Sequence, residues 1–222
     1  MNEWAVIWGA RETYIDGFIN TVTLFISSSI LAFILGCFLL YLLEGQHRWL
    51  TRSIISFVSL MRTLPFLIFA YLLYYGLPQM GIRLEAETAG LIALWLYHGA
   101  YFFEILRGQR ITMPKGLIEA AVAHGFRHHQ VFRHIILPNV TMNALPLMGN
   151  QLIICLKDTA FLCIITVQET TAAANSVQAT YFIPMKAFVV AIFLYWIMGL
   201  LVEFGVRKLS VFGQKRGFMH VR

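Results

Sequence analysis

Charge is scarce in this chain. Asp, Glu, Lys and Arg supply 13% of its 222 residues, whereas hydrophobic residues supply 59%. A soluble globule usually carries about twice that charge, so an ordinary water-soluble fold is excluded. Cysteine is scarce as well. Cys37, Cys155 and Cys163 all lie inside apolar stretches with no CxxC pair, which excludes a disulfide framework and leaves them as small hydrophobes. No GxxxxGK[ST] loop is present, so neither ATP with Mg2+ nor another cofactor is expected to bind this chain. HExxH and nucleophile-elbow patterns are missing too, which removes an intramembrane hydrolase. No basic region precedes the first apolar run, and that run is too long for a signal peptide, so no cleavage is expected. Repeats, low-complexity stretches and interdomain linkers are not visible.

What is present is long apolar runs, several exceeding the roughly 20 residues that a helix needs to cross hydrocarbon. The expected fold is an all-α membrane bundle of five helices, in one domain over 17–207. Its spans are expected at about 18–43, 54–77, 88–107, 139–167 and 184–206. Residues 1–16 carry Trp4 and Trp8 one turn apart and read as an interfacial segment on the outer side. Pro65 should kink the second span; Asn150, Gln151, Lys157 and Asp158 interrupt the fourth. The net charge of +6 sits beside the apolar runs and reports topology and lipid headgroups rather than nucleic acid. Arg48 and Arg52, then Arg107, Arg110, Lys115, Arg127 and Arg133, then Arg207, Lys208, Lys215, Arg216 and Arg222, fall on one side. Arg11, Arg83 and Lys186 fall on the other. The positive-inside rule puts the amino terminus outside and the tail, 208–222, in the cytoplasm.

The longest connection, 108–138, is therefore cytoplasmic, and connections that long usually have structure or a task. Pro114 suits the start of a short helix and Gly125 its end. Between them Glu119, Ala120 and Ala121 make a face with little side-chain bulk. A second stretch with Val131, Phe132, Ile135 and Ile136 is amphipathic, and Leu137-Pro138 stops it. Composition alone leaves two readings open: interfacial helices with no partner, or a docking patch.

The pattern Glu119-Ala120-Ala121, Gly125, Ile135, Leu137-Pro138 resembles the cytoplasmic signature of binding-protein-dependent ABC importer permeases. Over Gly17 to Lys208 the chain looks like the polar-amino-acid branch (histidine, glutamate, glutamine, arginine and opine permeases). The resemblance is carried by Gly17 to Leu24, by Arg62-Thr63-Leu64-Pro65-Phe66, by Gly99 to Gly108 and by Lys157-Asp158-Thr159. Departures are the separation of Thr63 from Pro65, Ala160 in place of serine, Leu117 and Asn139 in place of glutamine. The resemblance implies the type I importer permease fold and alternating access in a bacterial inner membrane. It implies an ATP-binding cassette dimer, a second permease copy or related permease, and a periplasmic solute-binding protein as partners. It also implies that Glu119 orients the ATPase contact, that Ala120 and Ala121 permit close approach and that Gly125 sets the turn. A bulky residue at Ala121 is then expected to uncouple hydrolysis from transport.

Polar groups inside spans mark candidate substrate paths, because charge there is costly and turns inward. Tyr97, Tyr101 and Glu104 share one helical face; Asn150 and Lys157 share another, and Gln151 and Asp158 the next. Arg62, Thr63, His98 and Thr159 complete the candidates. Lys157 and Asp158 together could meet the carboxylate and ammonium of an amino acid. The competing reading is structural, with Arg62 or Lys157 paired to Glu104 or Asp158. His98 reads as a packing or gating residue. No metal is expected at His124, His128, His129 and His134, because Gly125 breaks the helix among them and no carboxylate or cysteine completes a site. Glu203 and Arg207 read as a surface pair. The alternatives to an amino-acid importer are a nucleotide-independent channel or a permease for another small solute, such as an opine, an amine or a dipeptide-like molecule.

Overall fold

The protein is described by a computed structural model that covers residues 3–45 and 47–215. A short helix α1 (Glu3–Gly9) leads into α2 (Arg11–Glu44), followed by α3 (Arg48–Thr63) and α4 (Phe66–Tyr71). α4 runs on through a π-helical turn (Leu72–Gly76) and a 3-10 turn (Leu77–Met80). Then come α5 (Ala86–Thr112), α6 (Lys115–Ala123), α7 (His128–Val131) with a π-helical turn (Phe132–Ile136), and α8 (Leu137–Asp158) with a 3-10 extension (Thr159–Ile165). α9 (Thr170–Tyr181) and α10 (Pro184–Lys215) close the chain. Four helical stretches are long and apolar enough to cross a bilayer, and a bent pair, Arg48–Thr63 with Phe66–Met80, makes a fifth span if counted as one. The bend is 104°. It falls at Leu64–Pro65, because proline lacks the N–H that would continue α3 and forces the preceding residue out of helical backbone; Leu64 has ψ 138°.

The bundle is organised around α5, the most enclosed helix. α2 lays a stripe of Leu24, Ser28, Ala32, Gly36 and Leu39 along it at helical spacing. Lipid tails are as apolar as leucine, so packing in a bilayer depends on backbones coming close, and small residues permit it. Gly36 shows this: a Cβ there would stand 2.9 Å from the Phe103 nitrogen and 3.0 Å from the Phe102 Cβ. The opposite face of α2 leaves Ile19, Ile26, Ile30, Ile34 and Phe38 exposed, and α10 exposes Ile192, Phe193, Trp196 and Leu201. These are lipid-compatible surfaces.

Three features differ from the expected boundaries. α2 begins at Arg11, so Arg11–Asp16 belong to its first turns and only Glu3–Gly9 stands as a separate short helix. α10 runs on to Lys215, because 208–215 holds no proline and only one glycine near its end; Arg216 and Arg222 lie outside the described residues. α9 occupies the stretch between the fourth and fifth expected spans. The two ends of the bundle differ in charge. Arg48, Arg52, Arg110, Lys115, Arg127 and Arg133 gather at one end, and Glu12, Asp16, Glu85 and Glu87 at the other. These are called the basic and acidic ends below.

Candidate functional site

At the basic end α6 stands on the bundle as a short bracket between α5 and α8. Pro114 opens it with extended backbone (ψ 129°) and Gly125 closes it with φ 78°, a left-handed conformation that costs other residues about 1 kcal/mol. The Gly125 and Phe126 N–H groups bond the carbonyls of Val122 (2.9 Å) and Ala121 (3.1 Å), satisfying the helix's last acceptors. Arg127 N–H then bonds Gln130 Oε1 at 2.8 Å to start α7. Glu119 and Ala120 face outward, with Val122 and Ala123 beside them. Ala121 does not share that surface. It is buried and belongs to the same apolar cluster as Met113, Val131, Phe132 and Ile136. Of the two alanines expected to permit close approach, only Ala120 is exposed, and a bulky side chain at 121 would strain the chain's own core. Ile135, Leu137 and Pro138 are half-buried under the bracket, and Pro138 sits in the first turn of α8, where its missing N–H costs nothing. Arg110 on α5 is paired with Glu44 on α2 at 2.8 Å beside the bracket.

The intramembrane candidates separate into two groups. In the first, Glu104 takes both Nε (2.9 Å) and Nη2 (2.6 Å) of Arg107 and stands 3.5 Å from Arg62 Nη1. Arg62 also lies 5.8 Å from the Tyr101 ring, whose hydroxyl donates to the Arg62 carbonyl at 3.4 Å. Thr63 donates to the Ser59 carbonyl on the same helix. Arg62, Thr63, Glu104 and Arg107 border an open cleft of about 430 Å³ between α3 and α5. Two guanidiniums and one carboxylate leave it one positive charge in excess. Tyr97, buried, meets the Tyr101 ring in a tilted contact at 5.2 Å and Phe66 edge-on at 5.3 Å.

In the second group His98 is fully enclosed. Gln151 Nε2 lies 2.8 Å from its Nδ1, and Asp158 Oδ2 lies 3.4 Å from its Nε2. A donor on Nδ1 leaves the imidazole proton on Nε2, facing Asp158. The expected match of Lys157 and Asp158 to the two ends of a zwitterion is not what the geometry offers. Asp158 turns in to His98, while Lys157 and Asn150 point out of the bundle, and Lys157 has no ion pair among the described residues. Neighbours on an α-helix stand about 100° apart, which is enough to split them. Thr159 is buried, donating to the Leu156 carbonyl at 2.7 Å. Of the structural pairings, Arg62 with Glu104 is present. Among the described residues no three His, Cys, Asp or Glu side chains converge as metal ligands; His124 and His134 Nδ1 instead bond the carbonyls of Ala120 and Gln130 at 2.8 and 3.0 Å.

One polar cluster was not read from the sequence. Glu169 is fully buried and caps α9, accepting 2.7 Å bonds from the N–H groups of Thr171 and Ala172, while Tyr195 of α10 donates to it at 2.6 Å. Burial pushes its carboxyl up, against the hydrogen bonds from Thr171 and Tyr195 that pull it down. Next to it Thr21 of α2 donates to the Gly17 carbonyl (2.8 Å) and accepts from Thr170 N–H (3.0 Å). The cluster pins α2, α9 and α10 together at the acidic end. Its signal was an acidic residue just before Thr-Thr-Ala-Ala-Ala, a helix start.

Comparison with known proteins places this geometry. The model of the family described as "Binding-protein-dependent transport system inner membrane component" matches residues 28–210. The chain is 31% identical over 215 residues to the glutamine transport system permease protein GlnP of Escherichia coli (strain K12), covering 94% of this chain and 96% of that protein. It is 34% identical over 181 residues to the histidine/lysine/arginine/ornithine transport system permease protein HisQ of the same organism, covering 77% and 79%. A crystal structure of an amino acid ABC transporter with histidines matches with a TM-score of 0.82 at 27% identity, over 94% of this chain and 96% of that one. The MetNI methionine ABC transporter in an inward-facing conformation shares the fold, with a TM-score of 0.74 at 18% identity over 95% and 98%.

Proposed function

The chain belongs to the binding-protein-dependent transport system inner membrane component family, and on that footing we propose that it carries a polar amino acid inward by alternating access, driven by an ATP-binding cassette dimer docked on α6. It is the membrane-spanning permease subunit of an ATP-driven amino-acid importer. The subunit is not itself the ATPase. Hydrolysis belongs to a separate polypeptide and substrate delivery to a solute-binding protein. The membrane is the bacterial inner membrane, with the basic end cytoplasmic and the acidic end facing the binding protein.

The observation that carries the coupling assignment is the bracket geometry: α6 presents Glu119 and Ala120 outward while Ala121 anchors it to the bundle. Movement of α6 passes to α5 through Met113-Pro114 and to α8 through Leu137-Pro138. Those two helices carry Glu104 and Asp158, so a displacement at the basic end shifts one polar group against the other. The substrate class is supported by the cleft at Arg62, Glu104 and Arg107, where guanidiniums meet a carboxylate bidentately and the glutamate meets an ammonium. A second copy or a related permease completes the path on the face that carries Asn150 and Lys157.

The test is uptake of labelled amino acids by proteoliposomes holding the permease, its ATPase and its binding protein. Uptake must require ATP inside and loaded binding protein outside. Flux without nucleotide would establish a channel instead, and the ligand that the binding protein selects identifies the cargo.

A further inference from the structure

At the acidic end α1, α2 and α10 enclose a groove of about 230 Å³ that no polar cluster uses. Its floor is apolar, formed by Ile7, Tyr14, Phe18 and Leu194, and Trp8 and Arg11 stand on its rim. Arg11 and Phe18 are seven positions apart on α2, about 10 Å along the axis at 1.5 Å per residue. The groove therefore runs from the charged first turn of α2 into its apolar stretch. Trp8 is 72% exposed, as suits an indole in a membrane interface.

The rim carries a paired charge. Arg11 Nη1 donates to the Trp8 carbonyl at 3.1 Å, its guanidinium carbon lies 5.7 Å from the Trp8 ring, and its Nη2 lies 3.9 Å from Glu12 Oε1. A guanidinium has five N–H donors. One goes to the carbonyl, and the side chain is half exposed, so further donors stay open to a ligand beside an exposed carboxylate.

We propose that this groove binds one zwitterionic glycerophospholipid, with an acyl chain on Tyr14, Phe18 and Leu194, its phosphate on Arg11 and its ammonium on Glu12. The cation and anion of the rim complement the two charges of such a headgroup. A purely anionic headgroup would gain Arg11 but meet Glu12, whose carboxylate stands 3.9 Å from that guanidinium. The bound lipid closes the gap over α1, which is also held by Lys186, 2.9 Å from Glu3 and 5.4 Å from the Trp4 ring.

The test is native mass spectrometry of the permease released from nanodiscs of equal phosphatidylethanolamine and phosphatidylglycerol. Wild type should retain phosphatidylethanolamine over phosphatidylglycerol by about tenfold, the discrimination that one charged hydrogen bond supplies. Arg11→Gln should lose both lipids, and Arg11→Lys, which keeps the charge without the fork, should recover part of the retention. Glu12→Gln, an exposed change that leaves folding intact, should shift preference towards phosphatidylglycerol. Leu194→Trp should fill the groove and expel the lipid. Retention at the bulk ratio in wild type, or an unchanged preference in Glu12→Gln, overturns the proposal. So does a disulfide between two chains through Trp8→Cys in the bilayer, which would show the groove covered by a second copy.

Discussion

Replacing Glu169 with alanine removes three hydrogen bonds at once, because its carboxylate caps α9 through Thr171 and Ala172 and receives the Tyr195 hydroxyl. Losing a helix cap costs about 1 kcal/mol. Losing the 2.6 Å bond from the Tyr195 hydroxyl, which keeps only a longer 3.3 Å contact with the Thr171 hydroxyl, costs about 1–3 kcal/mol more. The expected loss is about 3 kcal/mol, or a fall in melting temperature of roughly 9 °C for a chain of this length. Thermal unfolding in detergent, followed by size-exclusion fluorescence, reads that shift. Tyr195→Phe should cost less, since the cap survives, and the double variant should cost less than the two singles summed, because they share a bond. The pH dependence has a definite sign. Burial raises the Glu169 carboxyl above its ordinary 4.5, so the folded protein holds that proton more tightly than the unfolded chain. The contribution is complete in acid, below the unfolded value, and is lost as pH rises through the raised one. Wild type should therefore lose stability relative to Glu169→Gln as pH climbs above about 4.5. A Glu169→Ala protein melting within 2 °C of wild type, or singles that simply add, would refute the account of this cluster.

Other expectations follow from single contacts. Gly36→Leu should destabilise by about 1–3 kcal/mol, because its Cβ meets the Phe103 nitrogen at 2.9 Å, whereas Gly108→Leu, with nothing within 4 Å, should be nearly neutral; both are read in the same melting assay. Lys157→Cys in detergent should react with a charged maleimide at least about tenfold faster than Asp158→Cys, because a thiolate needs access to react. Equal rates would mean that the two neighbours are not split between an outward and an inward face.

The bundle was legible because its signals are redundant. Apolar runs of span length, Pro65 and the placement of basic residues each point the same way. α9 was not legible: Thr170–Tyr181 is too short and too polar to look like a span, and only the Glu169 cap before it and Pro184 three residues after it announce it. Spacing of seven residues did sort Gln151 with Asp158 and Asn150 with Lys157, yet it could not say that His98 from another helix would fill the gap between Gln151 and Asp158. Ala120 and Ala121 are alike in sequence. Which one turns inward depends on the phase of α6 over Val131, Phe132 and Ile136, a tertiary fact that composition does not carry.

That phase also makes the central claim testable with one substitution. Ala120→Trp adds bulk to the outward face of α6 without entering the core, whereas Ala121→Trp invades it and should lower the melting temperature of the permease itself. The decisive measurement is ATP hydrolysis by the reconstituted Ala120→Trp importer with and without loaded binding protein. If the ATPase docks on α6, the variant should melt like wild type, while stimulation by loaded binding protein falls to the unstimulated rate. Full stimulation in a normally folded Ala120→Trp complex would contradict the docking of the ATPase on this helix.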